Sequence, residues 1–352
     1  MQKITANQLK QVVKHVVLRL HEPVMIEGQF GSGKTEVIKQ ACEEEGALCH
    51  PVLLGQYDTV DLRGSPWVGD LAIDYQATIW HPASTLPFVG NPNFPTDRPI
   101  VLFLDERTSA TVPVMGICYQ LVNEHCVGEH LLMPNVRIIS AGNRAIDKGI
   151  VNREPMPLCN RETRYEFEID MDQWCIWAQG KYGDDAAIFI AYHQFRSKSS
   201  AQSMLCTYDP AKGEKCVATP RTWEKSIKYF RDDIMPLDIK QASIAGAVGN
   251  GPAADFWGFN DSWRKIAKYM PKILKDPEKA SIPEEASLQY ALAVCISGTL
   301  HLSNVHLLHV YLLRMPPEFN VLAWQLAIKR DTQLFECDQF LDFSHKYKVI
   351  FN

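Results

Sequence analysis

The residues with the clearest chemistry form one short segment, Gly28 to Thr35, which fits the pattern G-x-x-x-x-G-K-[ST]. Glycines let the backbone N–H groups of such a loop turn inward around phosphate oxygens, and the helix that follows adds the favourable end of its dipole. In this pattern Lys34 holds the β- and γ-phosphates, and the Thr35 hydroxyl ligates Mg²⁺. The segment therefore predicts a site for ATP with Mg²⁺. The residues expected to contact the nucleotide are Gly28, Gly31, Ser32, Gly33, Lys34, Thr35 and Glu36.

Two adjacent carboxylates, Asp105 and Glu106, follow the apolar run Ile100–Leu104. Acids at the carboxyl end of a parallel strand lie in the crevice where α/β folds bind ligands. There Asp105 can hold the magnesium shell, and Glu106 can orient and deprotonate the water that attacks the γ-phosphate. Because strands that end in acids are common, this interpretation depends on the phosphate loop. Together with that loop, the pair favours hydrolysis over transfer of phosphate to a small acceptor.

A third strand candidate, Val136 to Ser140, runs into the polar sequence Ala141-Gly142-Asn143-Arg144. Asn143 is expected at the same sheet edge, where its amide can reach the γ-phosphate or the attacking water. The alternative is that Gly142 and Asn143 form a turn with no contact to the nucleotide.

Short apolar runs that suit strands alternate with segments of helical spacing in the first half of the chain. This alternation favours a parallel α/β sheet, and the almost purely apolar run 100–104 suits a central strand that is covered on both faces. The segment 55–99 is rich in proline and glycine and is expected to form loops with a small hairpin. The expected strands are 24–26, 52–54, 100–104, 136–140 and 165–169, and the expected helices are 7–20, 35–42 and 114–122.

After Asp170 the strand signal fades and helical spacing dominates, with prolines between the helical segments. We therefore place an α/β nucleotide-binding domain at 1–170 and a helical region at 171–352. The helical segments are expected at 172–196, 221–233, 238–248, 261–270, 285–299 and 303–314.

The composition is that of an ordinary globular protein, with 352 residues, 46% hydrophobic residues and a net charge of -5. Nucleic-acid binding is not indicated, because the charge is slightly negative and the cations form no stripe. The ten cysteines contain no C-x-x-C pair and the eleven histidines no H-E-x-x-H pattern, so no zinc site is expected. The chain shows neither a signal peptide nor an apolar run long enough to span a bilayer. Scattered thiols without a signal peptide favour a cytoplasmic protein.

The order of the phosphate loop, the Asp105-Glu106 strand and the Ala141–Arg144 strand resembles the MoxR-like branch of the AAA+ ATPases, with its Walker A, Walker B and sensor motifs. The similarity extends over about 20–350. Further segments that resemble the family are Asp61–Pro66 after the second strand, Val127–Pro134 before the sensor strand, Pro157–Arg161 at the arginine finger, Thr219–Glu224 at the second sensor, and a tail with Asp276-Pro277, Pro283 and Tyr311–Pro316.

This resemblance implies a five-stranded parallel sheet of order 5-1-4-3-2, an α-helical lid at 171–270 and a helical C-terminal extension at 271–352. It also implies a homo-oligomeric ring, a hexamer in this family, with ATP between neighbours. Arg161 would reach the γ-phosphate of a neighbour, and Arg221 would touch the nucleotide from the lid. The family has an aromatic residue after the finger arginine, whereas Glu162 stands here. Arg161 is the first choice for the finger, and because of this departure from the family pattern Arg164 is kept as the second.

The function implied is a MoxR-like ATPase that remodels a protein partner, and MoxR-like ATPases commonly pair with a protein that carries a von Willebrand factor A domain. In the segment 61–99, which projects toward the pore and partner face in the family, Trp67, Trp80 or Phe88 is a candidate for partner contact. Alternatives are a P-loop kinase of a small molecule, a nucleotide switch that scarcely turns over, and a DNA-stimulated AAA+ motor of restriction or defence type.

Overall fold

The computed structural model describes residues 1–71, 75–147, 152, 154–199, 204–266 and 268–347. Within these ranges the chain first forms an α/β region and then a region of helices, as the sequence predicts. The strands are β1 (Gln2–Ile4), β2 (Val24–Gly28), β3 (Leu48–Leu53), β4 (Ser65–Leu71), β5 (Tyr75–His81), β6 (Ile100–Asp105), β7 (Cys126–Val127), β8 (His130–Leu131), β9 (Val136–Gly142) and β10 (Thr163–Phe167).

Helices connect the strands of the first region and make up the second. They are α1 (Ala6–Val12), α2 (Lys34–Glu44), α3 (Thr59–Arg63), α4 (Val112–Glu124), α5 (Met156–Cys159), α6 (Met171–Tyr182), α7 (Ala187–Ser199), α8 (Pro220–Arg231), α9 (Leu237–Val248), α10 (Asn250–Ile266), α11 (Met270–Lys275), α12 (Ala286–Thr299), α13 (Val305–Leu312), α14 (Pro317–Arg330) and α15 (Asp338–Lys346). The segment Val13–Arg19 continues α1 as a π-helix, so the helix expected at 7–20 is present with a changed winding.

The main sheet is parallel, and its strand order among the described residues is β1-β10-β2-β9-β6-β3. Without β1 this order is the expected 5-1-4-3-2. The expected count of five strands is wrong, because β1 adds a sixth strand at the edge beside β10. The sequence hides β1 because it has three residues, of which only Ile4 is buried. So short a strand shows no alternation to read.

The central strand β6 explains why its sequence is almost purely apolar. Val101 and Phe103 pack with the buried side chains of α1 and α2 on one face of the sheet. Leu102 and Leu104 pack with those of α4 on the other face. Because successive side chains of a strand point to opposite faces, a strand covered on both sides needs apolar residues at every position. The strand therefore delivers Asp105 rigidly to the carboxyl edge of the sheet.

Two smaller sheets lie outside the main one. Strands β4 and β5 pair as an antiparallel hairpin, which confirms the hairpin expected within 55–99. Strands β7 and β8 form a second antiparallel pair just before β9.

The chain divides into two compact units. The first comprises Met1–Trp174, Tyr208–Glu214 and Thr219–Arg221, and the second comprises the remaining residues from Cys175 onward. The second unit is helical and has an aromatic core in which Phe189 and Phe256 stack with ring centroids 4.5 Å apart. A further division of the helical region at residue 270 stays a prediction. Among the helices of the described ranges, none is both long and apolar enough to cross a membrane.

Phe103 offers a test of the two-sided covering of β6. It is fully buried, so we expect Phe103→Ala to lower the free energy of unfolding by about 3–4 kcal/mol through lost contacts and a residual cavity. Val112, which is 64% exposed at the start of α4, is the control, and Val112→Ala should change stability by less than about 0.5 kcal/mol. Urea unfolding followed by tryptophan fluorescence measures both, and equal effects would contradict the central position of β6.

Candidate active site

The phosphate loop connects the end of β2 to the start of α2. Gly31 has φ 67° and Gly33 has φ 103°, and both values lie in the left-handed region that side chains with a Cβ disfavour. Gly28 is required for a different reason, since an ideal Cβ there would lie 3.0 Å from Cβ of Phe167 on β10. The pattern of glycines thus reflects two backbone turns and one close approach between neighbouring strands.

Lys34 is the best-anchored side chain of this loop. Its Nζ donates to the carbonyl oxygens of Gly28 at 2.7 Å and Gln29 at 2.9 Å. Burial lowers the pKa of Lys34 to about 8, although the carboxylates of Asp105 and Asp147 raise it in part. Phosphate oxygens would reverse this effect, because a nearby negative charge favours the protonated amine.

Ser32 provides an independent test of whether the loop suits a phosphate group. Its residue is 7% exposed, and within the described parts of the chain its hydroxyl is buried and has no hydrogen-bond partner. A buried hydroxyl without a partner is unfavourable, and a phosphate oxygen in the loop would satisfy it. The residues present therefore fit a nucleotide phosphate.

Thr35 and Asp105 meet where the phosphate loop approaches the end of β6. The Thr35 hydroxyl donates to Oδ2 of Asp105 at 2.8 Å, and Oδ1 of Asp105 accepts from the backbone N–H of Glu106 at 2.9 Å. A hydroxyl and a carboxylate side by side are hard oxygen ligands of the kind that Mg²⁺ prefers. The pair that the sequence assigns to Mg²⁺ is thus together in the fold.

Glu106 follows in an unusual backbone conformation. Its φ of 53° and ψ of 31° are left-handed, which costs about 1–3 kcal/mol for a residue with a side chain. Ser109 stabilises the turn, since its backbone N–H and its hydroxyl both donate to the Glu106 carbonyl, at 3.0 Å and 2.7 Å. The Glu106 residue is exposed at the sheet edge, where its carboxylate is accessible to solvent.

Asn143 lies at the end of β9, and its backbone N–H donates to Oγ1 of Thr108 at 3.0 Å. Next to it, Arg144 makes two hydrogen bonds to Asp147, at 3.0 Å and 2.8 Å, and one to Glu166 at 3.1 Å. The Asp147 carbonyl accepts from the Tyr208 hydroxyl at 2.6 Å, and the Tyr208 ring packs on Phe30, so this turn lies beside the phosphate loop. Sequence reasoning missed Asp147. The only feature of the sequence that could have indicated its pairing with Arg144 is the spacing of three residues.

Arg221 reaches the phosphate loop through its backbone. Its N–H donates to the Gly31 carbonyl at 3.2 Å, and its positive charge contributes to the lowered pKa of Lys34. Thr219 lies equally close, since an ideal Cβ on Gly31 would be 2.8 Å from Oγ1 of Thr219. Tyr208 packs edge-on against Phe30 with ring centroids 4.6 Å apart. The first unit therefore includes later chain segments that line the loop.

The two candidates for the finger arginine lie in different surroundings. Arg161 donates to Oδ1 of Asn123 at 2.6 Å and to the Pro157 carbonyl at 2.9 Å, with its guanidinium 4.6 Å from the Tyr119 ring centre. These contacts place Arg161 against α4 and α5. Arg164 instead is paired with carboxylates of its own protomer, namely Glu27, Glu154 and Glu162.

Sequence reasoning also missed a buried group of charges behind the site. Arg107 is fully buried and donates to Glu154, Glu162 and the hydroxyl of Ser140. Burial lowers the pKa of Arg107, but its pairing with Glu162 and Glu154 outweighs this and leaves the pKa raised. Burial likewise raises the pKa of Glu154, yet Arg107 and Arg164 hold it below its usual value. Arg107 and Glu154 therefore both carry their charges at neutral pH.

No protein-family model and no curated protein sequence matches this chain. Solved structures that resemble it include NtrX from Brucella abortus in complex with ADP, which is 15% identical over 97% of this chain and 67% of that one, with a TM-score of 0.38. A mutant of RuvB from Thermotoga maritima is 15% identical over 88% of both chains, with a TM-score of 0.39. Hsp104 in a closed state is 13% identical over 76% of this chain and 43% of that one, with a TM-score of 0.34. Likenesses this weak identify no family, so the fold and the site rest on the chain's own geometry.

The lowered pKa of Lys34 predicts that ATP binding takes up a proton at alkaline pH. Above a pKa of about 8 the free amine is mostly neutral, and phosphate binding should restore its charge, so affinity should fall as pH rises above 8. Calorimetry in two buffers of different ionisation enthalpy should show uptake of about 0.9 proton at pH 9 and little at pH 7. The control is Lys34→Arg, whose guanidinium stays protonated. The same uptake in that variant would contradict the assignment.

Proposed function

We propose that this protein is a MoxR-like AAA+ ATPase that hydrolyses ATP with Mg²⁺ and uses the energy to remodel a protein partner. The observation that carries the hydrolysis is the hydrogen bond of 2.8 Å between Thr35 and Asp105, which brings the phosphate loop and the paired acids to one point. The subtype and the partner rest on the resemblance of the motifs described above.

Each residue of the proposed site has a distinct role. Lys34 places its ammonium against the β- and γ-phosphates, and the loop amides and the Ser32 hydroxyl bind further phosphate oxygens. Thr35 and Asp105 would hold Mg²⁺, which supplies positive charge against the triphosphate when bound. Glu106 accepts the proton of the attacking water, and Asn143 orients that water or the γ-phosphate. Arg221 adds positive charge from the start of α8.

For the arginine that completes a neighbouring site, the local contacts favour Arg161 over Arg164. The contacts of Arg161 are to a neutral amide, a carbonyl and an aromatic ring, so its charge remains uncompensated by these partners. Arg164 is paired with three carboxylates, and moving it would leave buried negative charge behind. We therefore propose a homo-oligomeric ring, a hexamer as in the family, in which Arg161 acts on the ATP of an adjacent copy.

The proposed partner is a protein with a von Willebrand factor A domain. Of the three aromatic residues considered for contact, Phe88 is only 2% exposed, and Trp80 lies under the Arg63 guanidinium at 4.1 Å. Trp67 on β4 is 59% exposed, so we propose Trp67 as the residue that contacts the partner.

Glu106→Gln tests the hydrolysis itself. We expect the release of free phosphate to fall at least about a hundredfold, because the amide cannot accept the water proton, while ATP still binds. The trapped complex should also show a larger mass by light scattering with ATP and Mg²⁺ than without them. Label from ATP that appears on an acceptor would instead indicate a kinase, and stimulation of hydrolysis by DNA would indicate the DNA-linked motor. Hydrolysis that is equally slow in the wild type and in Glu106→Gln would indicate a nucleotide switch.

Mixing two inactive variants tests the shared site. Arg161→Ala keeps its own phosphate loop and Glu106, whereas Glu106→Gln keeps its Arg161, so neighbours in a mixed ring complete some sites. We expect each variant alone to lose at least about a hundredfold in turnover, and an equal mixture to recover roughly a quarter of wild-type activity. The control Arg98→Ala removes an exposed arginine before β6 and should stay active. A mixture no more active than its components would argue against a finger in trans.

A further inference from the structure

The turn after the catalytic acids combines an exposed residue with a fully buried charged one. Glu106 presents its carboxylate at the sheet edge, but the next residue, Arg107, has no exposed surface. The short helical turn Arg107–Ser109 begins directly after the left-handed backbone of Glu106. Since Glu106 is held in an unfavourable conformation, something beyond its own preference must fix the backbone on either side.

The hydrogen bonds of the buried Arg107 side chain hold the backbone next to Glu106. The Arg107 Nε donates to Glu154 at 3.0 Å and its Nη1 to Ser140 at 2.9 Å. Its Nη2 donates to Glu154 at 2.8 Å and to Glu162 at 2.7 Å. Ser140 lies on β9, Glu162 just before β10 and Glu154 before α5, so the guanidinium fork joins three chain segments. A planar fork sets direction as well as charge, which a lysine cannot reproduce.

The next residue of the turn is anchored as well. Thr108 is 3% exposed, its hydroxyl accepts from the Asn143 backbone, and its carbonyl accepts from the backbone N–H of Asn152 at 2.7 Å. Gly142 leaves room for it, since an ideal Cβ at Gly142 would lie 2.4 Å from Cγ2 of Thr108. The turn that follows Glu106 is therefore locked to the end of β9.

The charges around Arg107 are not explained by stability alone. Two arginines, Arg107 and Arg164, face three carboxylates, Glu27, Glu154 and Glu162, at one largely buried place. Burying such a set is often no more stabilising than an apolar core of the same shape, so its value is expected in the geometry it imposes. The left-handed Glu106 turn is joined to this set directly, because Arg107 is the next residue.

We propose that Arg107 is a positioning residue for ATP hydrolysis, which acts by holding Glu106 in its left-handed conformation so that the carboxylate faces the attacking water. This inference rests on the proposed role of Glu106. Because Arg107 has no exposed surface, we assign it an action through Glu106 and not on the nucleotide directly. Its loss should lower turnover while leaving ATP binding, which depends on the phosphate loop, unchanged.

The test is Arg107→Lys, which keeps the charge but removes the fork. We expect kcat for ATP to fall at least tenfold, with the dissociation constant for ATP changed less than twofold. In the Glu106→Gln background the same substitution should lower the residual rate less than twofold, because Arg107 acts only through Glu106. The matched control is Arg196→Lys, which alters an arginine–aspartate pair with Asp255 in the helical unit and should leave kcat unchanged.

Glu162→Gln is the milder second variant, since it keeps the shape of the buried partner and removes one charge. If Arg107→Lys does not fold, Glu162→Gln is expected to show the same selective loss of kcat. A merely structural role would lower melting temperature, affinity and rate together, and would do so again in the Glu106→Gln background; that result, or an unchanged kcat, overturns the inference. Equal ATP hydrolysis by wild type and Glu106→Gln overturns the proposed function and this inference with it.

Discussion

The hydrogen bond between Thr35 and Asp105 is the contact on which the rest of the site depends. It joins the first turn of α2 to the end of β6, two elements that are far apart in sequence. The joining is possible because β2, β9 and β6 are parallel neighbours, so their carboxyl ends open on one edge of the sheet. A glycine loop, two acids and the Asn143 turn are then brought together by strand order alone.

The sheet face beneath this edge is divided between two kinds of packing. Under β6 and β3 it is apolar, and Leu102 and Leu104 pack against α4. Toward β10 it also carries polar and charged side chains, with Ser140 on β9 and Arg164 on β10 in contact with the Arg107 and Glu162 cluster. The apolar side chains stabilise the fold through burial, which does not depend on orientation. The charged side chains form hydrogen bonds, which require defined angles between the partners. The part with directional hydrogen bonds adjoins the Glu106 turn.

Much of this arrangement is readable from the sequence, because it follows from local rules. The glycines of the loop, the apolar β6 that ends in two acids and the alternation of strands and helices each have a short-range cause, and the strand order came from the resemblance that these motifs carry. The edge strand β1 was not predicted, because three residues are too few to show a period. The burial of Arg107 and Asp147 was not predicted, because charged residues near loops are usually exposed. Their burial depends on Glu154, Glu162 and Arg144, whose proximity only the tertiary fold creates.

The first unit is not one continuous stretch of chain. Tyr208–Glu214 and Thr219–Arg221 return to it after the chain has entered the helical unit, and they contact Phe30 and Gly31 in the phosphate loop. A fragment cut after residue 170 would therefore lose the Tyr208 ring, the Thr219 side chain and the Arg221 amide from around its own loop. The polypeptide crosses between the units several times, so the unit that holds the phosphate loop is assembled from segments that extend well beyond the last strand.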